Sequence, residues 1–270
     1  MDFSKQRITL VGAGRMGSAL VGGWLKAGLG GRIDIVAPRP SDLVQSWADA
    51  GEVRLNGAVE VADVLVIAVK PQVFGSVVDD LAVRIGPQTQ VLSVMGGVSL
   101  ATLADRLGTD KIVRAMPNTP GLIGQGVTLL CLPDGAGEEV EARMRGLLEP
   151  LGAVEGPIGE DVLRAATAVS GCGPAYVFLL AEVMAAAGVA HGLDAELAMR
   201  LARGTVEGAG ALMAASNEEA ATLRKNVTSP NGVTQAALEV LMASDAMPSI
   251  FTEAVRAAIA RDEALSAETK

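Results

Sequence analysis

At 270 residues, with 50% hydrophobic and 20% charged side chains, the chain is long enough to bury the cores of one large or two modest globular domains. A net charge of −9 argues against nucleic acid or an anionic membrane as partner, since both demand basic patches, so an anionic substrate must be held by local groups. Two cysteines, Cys131 and Cys172, are too few for a disulfide framework and too far apart for a metal knuckle; no metal site is expected, and the setting reads as reduced and cytoplasmic. The stretch before the first glycines has no uninterrupted apolar run of the kind a secretory signal needs. The longest apolar run, residues 175–190, is interrupted by Glu182 and falls short of the roughly 20 residues of a bilayer span, so it reads as a buried or interface helix.

In chain order, Arg7–Val11 is a short β-rich run that stops at Gly12-Ala13-Gly14-Arg15-Met16-Gly17, and residues 18–27 take helical spacing. Residues 33–37, 64–69 and 91–95 repeat the pattern of a buried strand followed by a helix, which means a parallel sheet wrapped by helices. A further strand ends at residues 114–117, another spans 127–132, and 138–148 are expected to be helical. Residues 152–159 are rich in Gly and Pro, and from 160 onward β-like runs disappear. A boundary near 156 therefore separates a domain at 1–156 from a helical one at 157–270, with helices over 161–168, 174–191, 195–214, 217–227 and 233–242 and a last one from 248. Several of these are apolar on most faces, which a domain of this size cannot bury alone. A second copy of the chain is the economical cover.

The first glycines carry chemistry because of where they stand. After a strand and before a helix, Gly12 permits a tight turn, Gly14 lets the backbone reach a pyrophosphate, and Gly17 lets helix and strand pack closely. The expected fold class is thus α/β, an N-terminal Rossmann-type doubly wound parallel sheet followed by an all-α domain. An NAD site usually has an acid at the tip of the second strand for the ribose hydroxyl. Here the tip reads Val36-Ala37-Pro38-Arg39-Pro40-Ser41. Asp34 lies too early and reads as an exposed strand residue. Arg39 and the Ser41 hydroxyl suit a 2′-phosphate, so NADP(H) is favoured, with NAD(H) the alternative.

Near the other end, Ser229-Pro230-Asn231-Gly232 cannot continue a helix, and apolar spacing resumes directly after it. Backbone N–H groups of Val233, Thr234 and the residues that follow would be unpaired at that helix start, an arrangement suited to a small carboxylate. With Leu223, Val227, Ser229, Pro230, Gly232 and Thr234, the segment resembles the C-terminal signature of the pyrroline-5-carboxylate reductases. Family members more often carry Gly at the position of Asn231 and a small residue or Thr at that of Val233. Four further segments resemble the family in order. They are Asn56, ahead of the strand that ends in Ala68-Val69-Lys70-Pro71; Val94-Met95-Gly96-Gly97, in which Met95 departs from a run of small residues; Arg114-Ala115-Met116-Pro117-Asn118-Thr119-Pro120; and Ser170-Gly171-Cys172-Gly173-Pro174-Ala175-Tyr176. The resemblance covers essentially the whole chain.

It implies the reduction of 1-pyrroline-5-carboxylate to L-proline with NAD(P)H, the last step of proline biosynthesis, by a homodimer or a larger ring of dimers. The cofactor would lie against residues 12–17, Arg39, Ser41, Asn56, residues 68–71, Met95, Gly96 and Asn118. The substrate would lie against Asn231, Gly232, Val233 and Thr234, with Thr234 as the catalytic residue that orients the ring nitrogen or relays a proton. The residue inventory suits an imine. Ketone reduction needs a strong proton donor, and residues 165–223 contain no lysine, whereas a cyclic imine can protonate before hydride arrives, so placement supplies much of the catalysis. A catalytic pairing of Cys172 with His191 is disfavoured, because the helix between them would span about 28 Å. His191, followed by Gly192, reads as a helix C-terminal residue. The alternatives are another NADP-dependent imine or β-hydroxyacid reductase and a non-catalytic NADP(H)-binding sensor.

Overall fold

The computed structural model describes residues 3–29 and 31–268. Six strands run parallel, in the spatial order β3 (Arg54–Leu55), β2 (Arg32–Val36), β1 (Arg7–Val11), β4 (Val64–Ile67), β5 (Gln90–Ser93) and β6 (Ile112–Met116). Then the direction reverses: β7 (Gly126–Cys131) is antiparallel to β6, and β8 (Gly152–Glu155) is parallel to β7. The sheet is therefore mixed at one edge. A parallel crossover needs a helix, and the link from β6 to β7 holds only a 3₁₀ turn at Thr119–Ile123. β8 and the two-residue β3 escape sequence reading because they are short, and β8 is flanked by Gly and Pro.

The central strands are apolar throughout because helices cover both faces. Val64 and Val66 of β4 enter one core with Ile8, Leu10, Leu20 and Trp24; Leu65 and Ile67 enter the other with Phe74, Leu81 and Leu103. The covering helices are α1 (Arg15–Lys26), α2 (Asp42–Asp49), α3 (Pro71–Ala82), α4 (Leu100–Leu107) and α5 (Glu138–Leu148). Trp24 Nε1 donates to Leu147 O at 2.7 Å, so the one polar atom of the largest core side chain is paired.

Helices α6 (Glu160–Ser170), α7 (Gly173–Ala190), α8 (Ala195–Ala215), α9 (Ala220–Asn226), α10 (Val233–Leu241) and α11 (Met247–Glu268) follow. Two compact units form, Met1–Gly171 with Ala258–Lys270, and Cys172–Ala257. The composition changes near residue 156, yet α6 stays with the sheet, because Leu163 packs with Met116, Leu129 and Cys131. In the second unit α7 and α8 approach closely through small residues, with Ala185, Ala198 and Ala202 buried between them. A Cβ on Gly188 would stand 3.0 Å from Leu193 Cδ1. Most of the remaining apolar surface of α7 is bare: Phe178 is 62% exposed and Leu179 55%. The stretch Glu160–Ala190 is long and apolar enough by composition to cross a membrane, but it is two helices broken at Gly171 and Cys172, and Glu182 interrupts the second.

The expectation for Asp34 fails. Asp34 is not an exposed strand residue but is 5% exposed and the centre of a charge cluster. Arg54 grips its carboxylate with two bonds of 2.8 and 2.7 Å, and Arg32 and Arg7 stand at 3.4 and 3.7 Å. Glu60 bridges the same three arginines from the other side. Burial pushes the Asp34 carboxyl above its ordinary range, and Arg32 and Arg7 oppose that shift. A strand register that sets three arginines at neighbouring positions of β1, β2 and β3 thus needs this buried carboxylate. Asp34→Ala should cost about 2–3 kcal/mol, less than for a fully buried pair because the arginines are partly solvated. Urea denaturation reads the loss, and an unchanged midpoint would remove the cluster from the list of stabilising features.

Candidate active site

The strand order turns back between β1 and β4, and a doubly wound sheet binds its ligand at the carboxyl ends of the strands beside such a switch point. Gly12 N donates to Val36 O at 3.0 Å, Ala68 N to Val11 O at 2.8 Å and Val94 N to Ile67 O at 3.0 Å, which aligns the ends of β2, β1, β4 and β5. Gly12 has a φ of 98°, and a Cβ there would lie 2.7 Å from Ala68 O and 2.9 Å from Val69 Cγ1. A Cβ on Gly17 would run into the carbonyl of Gly12. Both glycines are therefore demanded by the protein's own packing. Gly14 and Gly96 differ, because a Cβ on either meets nothing within 4 Å. They face open space. Gly14 caps α1 without a side chain, so the first N–H groups of that helix have no protein acceptor and suit a pyrophosphate. Ala13 and Met16 pack against the core, leaving their backbones to the cleft, while Arg15 is exposed at the first helical position.

Beside this cleft the tip of β2 is clamped by Asn56, whose Oδ1 accepts from Ala37 N and whose Nδ2 donates to Ala37 O, each at 2.9 Å. Asn56 itself takes a φ of 48° to do so. The clamp holds the chain just ahead of Arg39, which is exposed and has neither ion pair nor hydrogen bond within the described residues. Ser41 caps α2 by accepting from Val44 N at a long 3.4 Å, which leaves its hydroxyl proton to be shared. Lys70, exposed, precedes Pro71 at the start of α3, and its ammonium has no partner among the described residues.

In the second unit, the positive φ of the turn before α10 falls on Asn231, at 59°, while Gly232 has an ordinary φ of −87°. The reason for glycine at 232 is steric: a Cβ would lie 3.0 Å from Ser229 O. Gln235 Oε1 accepts from Asn231 N at 2.8 Å and Gly232 N donates to Ser229 O at 3.0 Å, so the turn is closed on itself. Val233 N and Thr234 N have no acceptor, and the half-buried Thr234 hydroxyl has no partner among the described residues. His191 caps the C-terminus of α7, its Nδ1 2.9 Å from Ala187 O, as expected of a structural residue.

Residues 160–265 match the family model described as pyrroline-5-carboxylate reductase dimerisation, and residues 7–97 match that described as NADP oxidoreductase coenzyme F420-dependent. The pyrroline-5-carboxylate reductase of Pseudomonas aeruginosa is 35% identical over 98% of both chains. This chain belongs to the pyrroline-5-carboxylate reductase family. Among solved structures, the family member from Coxiella burnetii superposes with a TM-score of 0.87 at 31% identity, covering 97% of this chain and 98% of that one. The Plasmodium falciparum pyrroline carboxylate reductase, solved with NADP bound, gives 0.82 at 27% identity, covering 98% of this chain and 99% of that one.

Two residues that the family resemblance assigns to the cofactor have other employment in this reductase. Met95 is 1% exposed and packed in the second core, so its side chain is withdrawn from the cleft. Asn118 is 8% exposed, its Oδ1 accepting from Val127 N and its Nδ2 donating to Ser170 O, each at 2.9 Å. It ties the end of β6 to β7 and α6. Sequence reading placed Arg114 in a segment that resembles the family but missed its burial and its pairing with Glu160 at 2.6 Å, because nothing local distinguishes a buried arginine on a strand. Cys131 is fully buried, out of reach of a ligand, and burial, with Glu160 adding to it, pushes its thiol up.

The glycines give a clean contrast. Gly14→Val should leave the melting temperature unchanged and weaken NADPH binding about a hundredfold, since only a ligand meets the new side chain. Gly17→Val should unfold the domain at lower temperature. Titration calorimetry and thermal melts on the two variants separate the effects.

Proposed function

We propose that this chain reduces 1-pyrroline-5-carboxylate to L-proline, using NADPH in preference to NADH, as a homodimer in the cytoplasm. The observation that carries the reading is the start of α10, where a free Thr234 hydroxyl and unpaired N–H groups are presented by a self-closed turn within a chain of this family. These N–H groups would receive the substrate carboxylate at the positive end of the helix. The Thr234 hydroxyl would hydrogen-bond the ring nitrogen and keep the protonated C=N bond in one orientation. When bound, the reduced nicotinamide supplies a hydride to the imine carbon, and the nitrogen, already protonated, keeps its proton as the amine of proline. No strong acid is required of the protein, which accords with the absence of lysine from residues 165–223. Arg39, held just past the Asn56 clamp and unpaired, would bind the 2′-phosphate.

The bare apolar face of α7, with Phe178, Leu179 and Val183 exposed, is the surface a second subunit would cover. Larger assemblies would be built from that dimer. Two unpaired thiols, Cys131 and Cys172, accord with a reducing compartment.

The deciding assay is NADPH oxidation on addition of pyrroline-5-carboxylate, with piperideine-2-carboxylate and a 3-hydroxyacid as competing readings. Thr234→Ala should lower kcat/KM by roughly ten- to a hundredfold, or about 1.4–2.7 kcal/mol, with NADPH affinity unchanged. Full activity in that variant would move proton placement to another group. Arg39→Ala should raise the NADPH KM about tenfold or more and spare NADH, because one charge-assisted contact contributes about 1.5–3 kcal/mol. Equal losses for the two cofactors would remove Arg39 from the phosphate site.

A further inference from the structure

Helix α6 reaches the Met95 to Ser99 loop by two polar routes. At its first residue, Glu160 Oε1 accepts from Leu100 N at 2.8 Å, fixing the start of α4 where the loop ends. The same oxygen accepts from Arg114 Nη1 at 2.6 Å, so a buried guanidinium on β6 holds the carboxylate in place. One turn further along α6, Arg164 Nε donates to Asp262 Oδ2 at 2.9 Å and its Nη2 to Ser266 Oγ at 3.3 Å, with Glu263 at 3.7 Å. These contacts seat the last turns of α11. Those turns in turn lie on Gly97, where a Cβ would stand 3.4 Å from Leu265 Cβ and 3.7 Å from Ser266 N. Gly97 is buried and has a φ of 72°, so the loop bends at the point that α11 covers.

Between the two routes lies a cavity of about 270 Å³, lined by Ser99, Asp161 and Thr167 beside the paired residues. Met95 and Val98 anchor the loop in the second core, and on the side of this cavity the ion pairs take the place of apolar fill. Glu160, Arg164 and Asp262 belong neither to the glycine fingerprint nor to the segments that resemble the family; Arg114 opens one of those segments.

We infer that Arg164, with Asp262, and Glu160, with Arg114, are positioning residues for the cofactor, acting through the loop that presents Gly96 to the cleft. The inference rests on the reading of that cleft as an NADPH site. Breaking the Arg164–Asp262 pair releases the end of α11, frees the bend at Gly97, and lets Gly96 leave the position in which the bound cofactor meets it. The loss appears as weaker cofactor binding, while the rate at saturating NADPH falls far less, because the substrate turn is untouched.

The test uses the full-length protein and the variants Arg164→Gln, Asp262→Asn, their combination, and Arg164→Lys. Hydrogen exchange in the cofactor-free protein should speed up across residues 94–99 in both single variants, recover in part in Arg164→Lys, and be no faster in the double variant. The Kd for NADPH should rise about five- to tenfold in each single variant, with no further rise in the double. Unchanged exchange at 94–99 would overturn the inference, and so would a wild-type Kd in variants whose only defect is a lower melting temperature. A wild-type protein that ignores NADPH while the loop loosens in Arg164→Gln would instead sink the functional reading and leave the link from α6 to the loop standing.

Discussion

The contact on which the rest of the site depends is the approach of α1 to its own strand at Gly17, where a single methyl group would strike the Gly12 carbonyl. Because no side chain intervenes, α1 starts directly over the end of β1 and aims its unpaired N–H groups along the line where strand order reverses. Gly12, pressed against Ala68 and Val69, fixes the next strand's end in the same stroke. Loosening either contact would move the N–H groups at the start of α1 and the turn after β4 together, since the backbone bonds at the strand ends link them.

Charge is arranged around that cleft by subtraction. The chain is acidic, with a net charge of −9, yet NADP(H) is an anion. Arg7, Arg32 and Arg54 are consumed by Asp34 and Glu60, Arg114 by Glu160, and Arg164 by Asp262. Arg15, Arg39 and Lys70, at the mouths of three strands, have no such partners. Structural arginines are neutralised where they stand, and positive charge remains available where phosphate would be held. At the start of α10 bare backbone N–H groups offer positive polarity without adding any net charge.

The helical unit follows a different logic. Ala and Gly let α7 and α8 pack at close range, but small side chains bury little area, and the bulky residues of α7 point elsewhere. Such a unit lacks the burial to offset its conformational entropy by itself. Association completes its core, which is why the match to a dimerisation region and the apolar face describe the same physical need.

Much of this was legible in the residues. Runs of β-branched and aliphatic residues marked β1, β4 and β5, because a strand covered on both faces has no polar positions to confuse the pattern. The glycine fingerprint and the Ser229 to Thr234 turn were readable because backbone geometry restricts which residues are tolerated, and such restrictions are local. The short strands β3 and β8 were not legible, since pairing with a neighbour, not their own composition, makes them strands. Nor was the reversed direction of β7, which follows from the length of a connection. The burial of Asp34, the employment of Met95 and Asn118, and the route from Arg164 through α11 to Gly97 join residues as much as 102 positions apart. Sequence determined the elements and the local chemistry of the glycine turn after β1 and of the turn before α10. Only the tertiary structure decided which charges are spent on holding the fold and which are left for a ligand, because that depends on neighbours brought together by the sheet order.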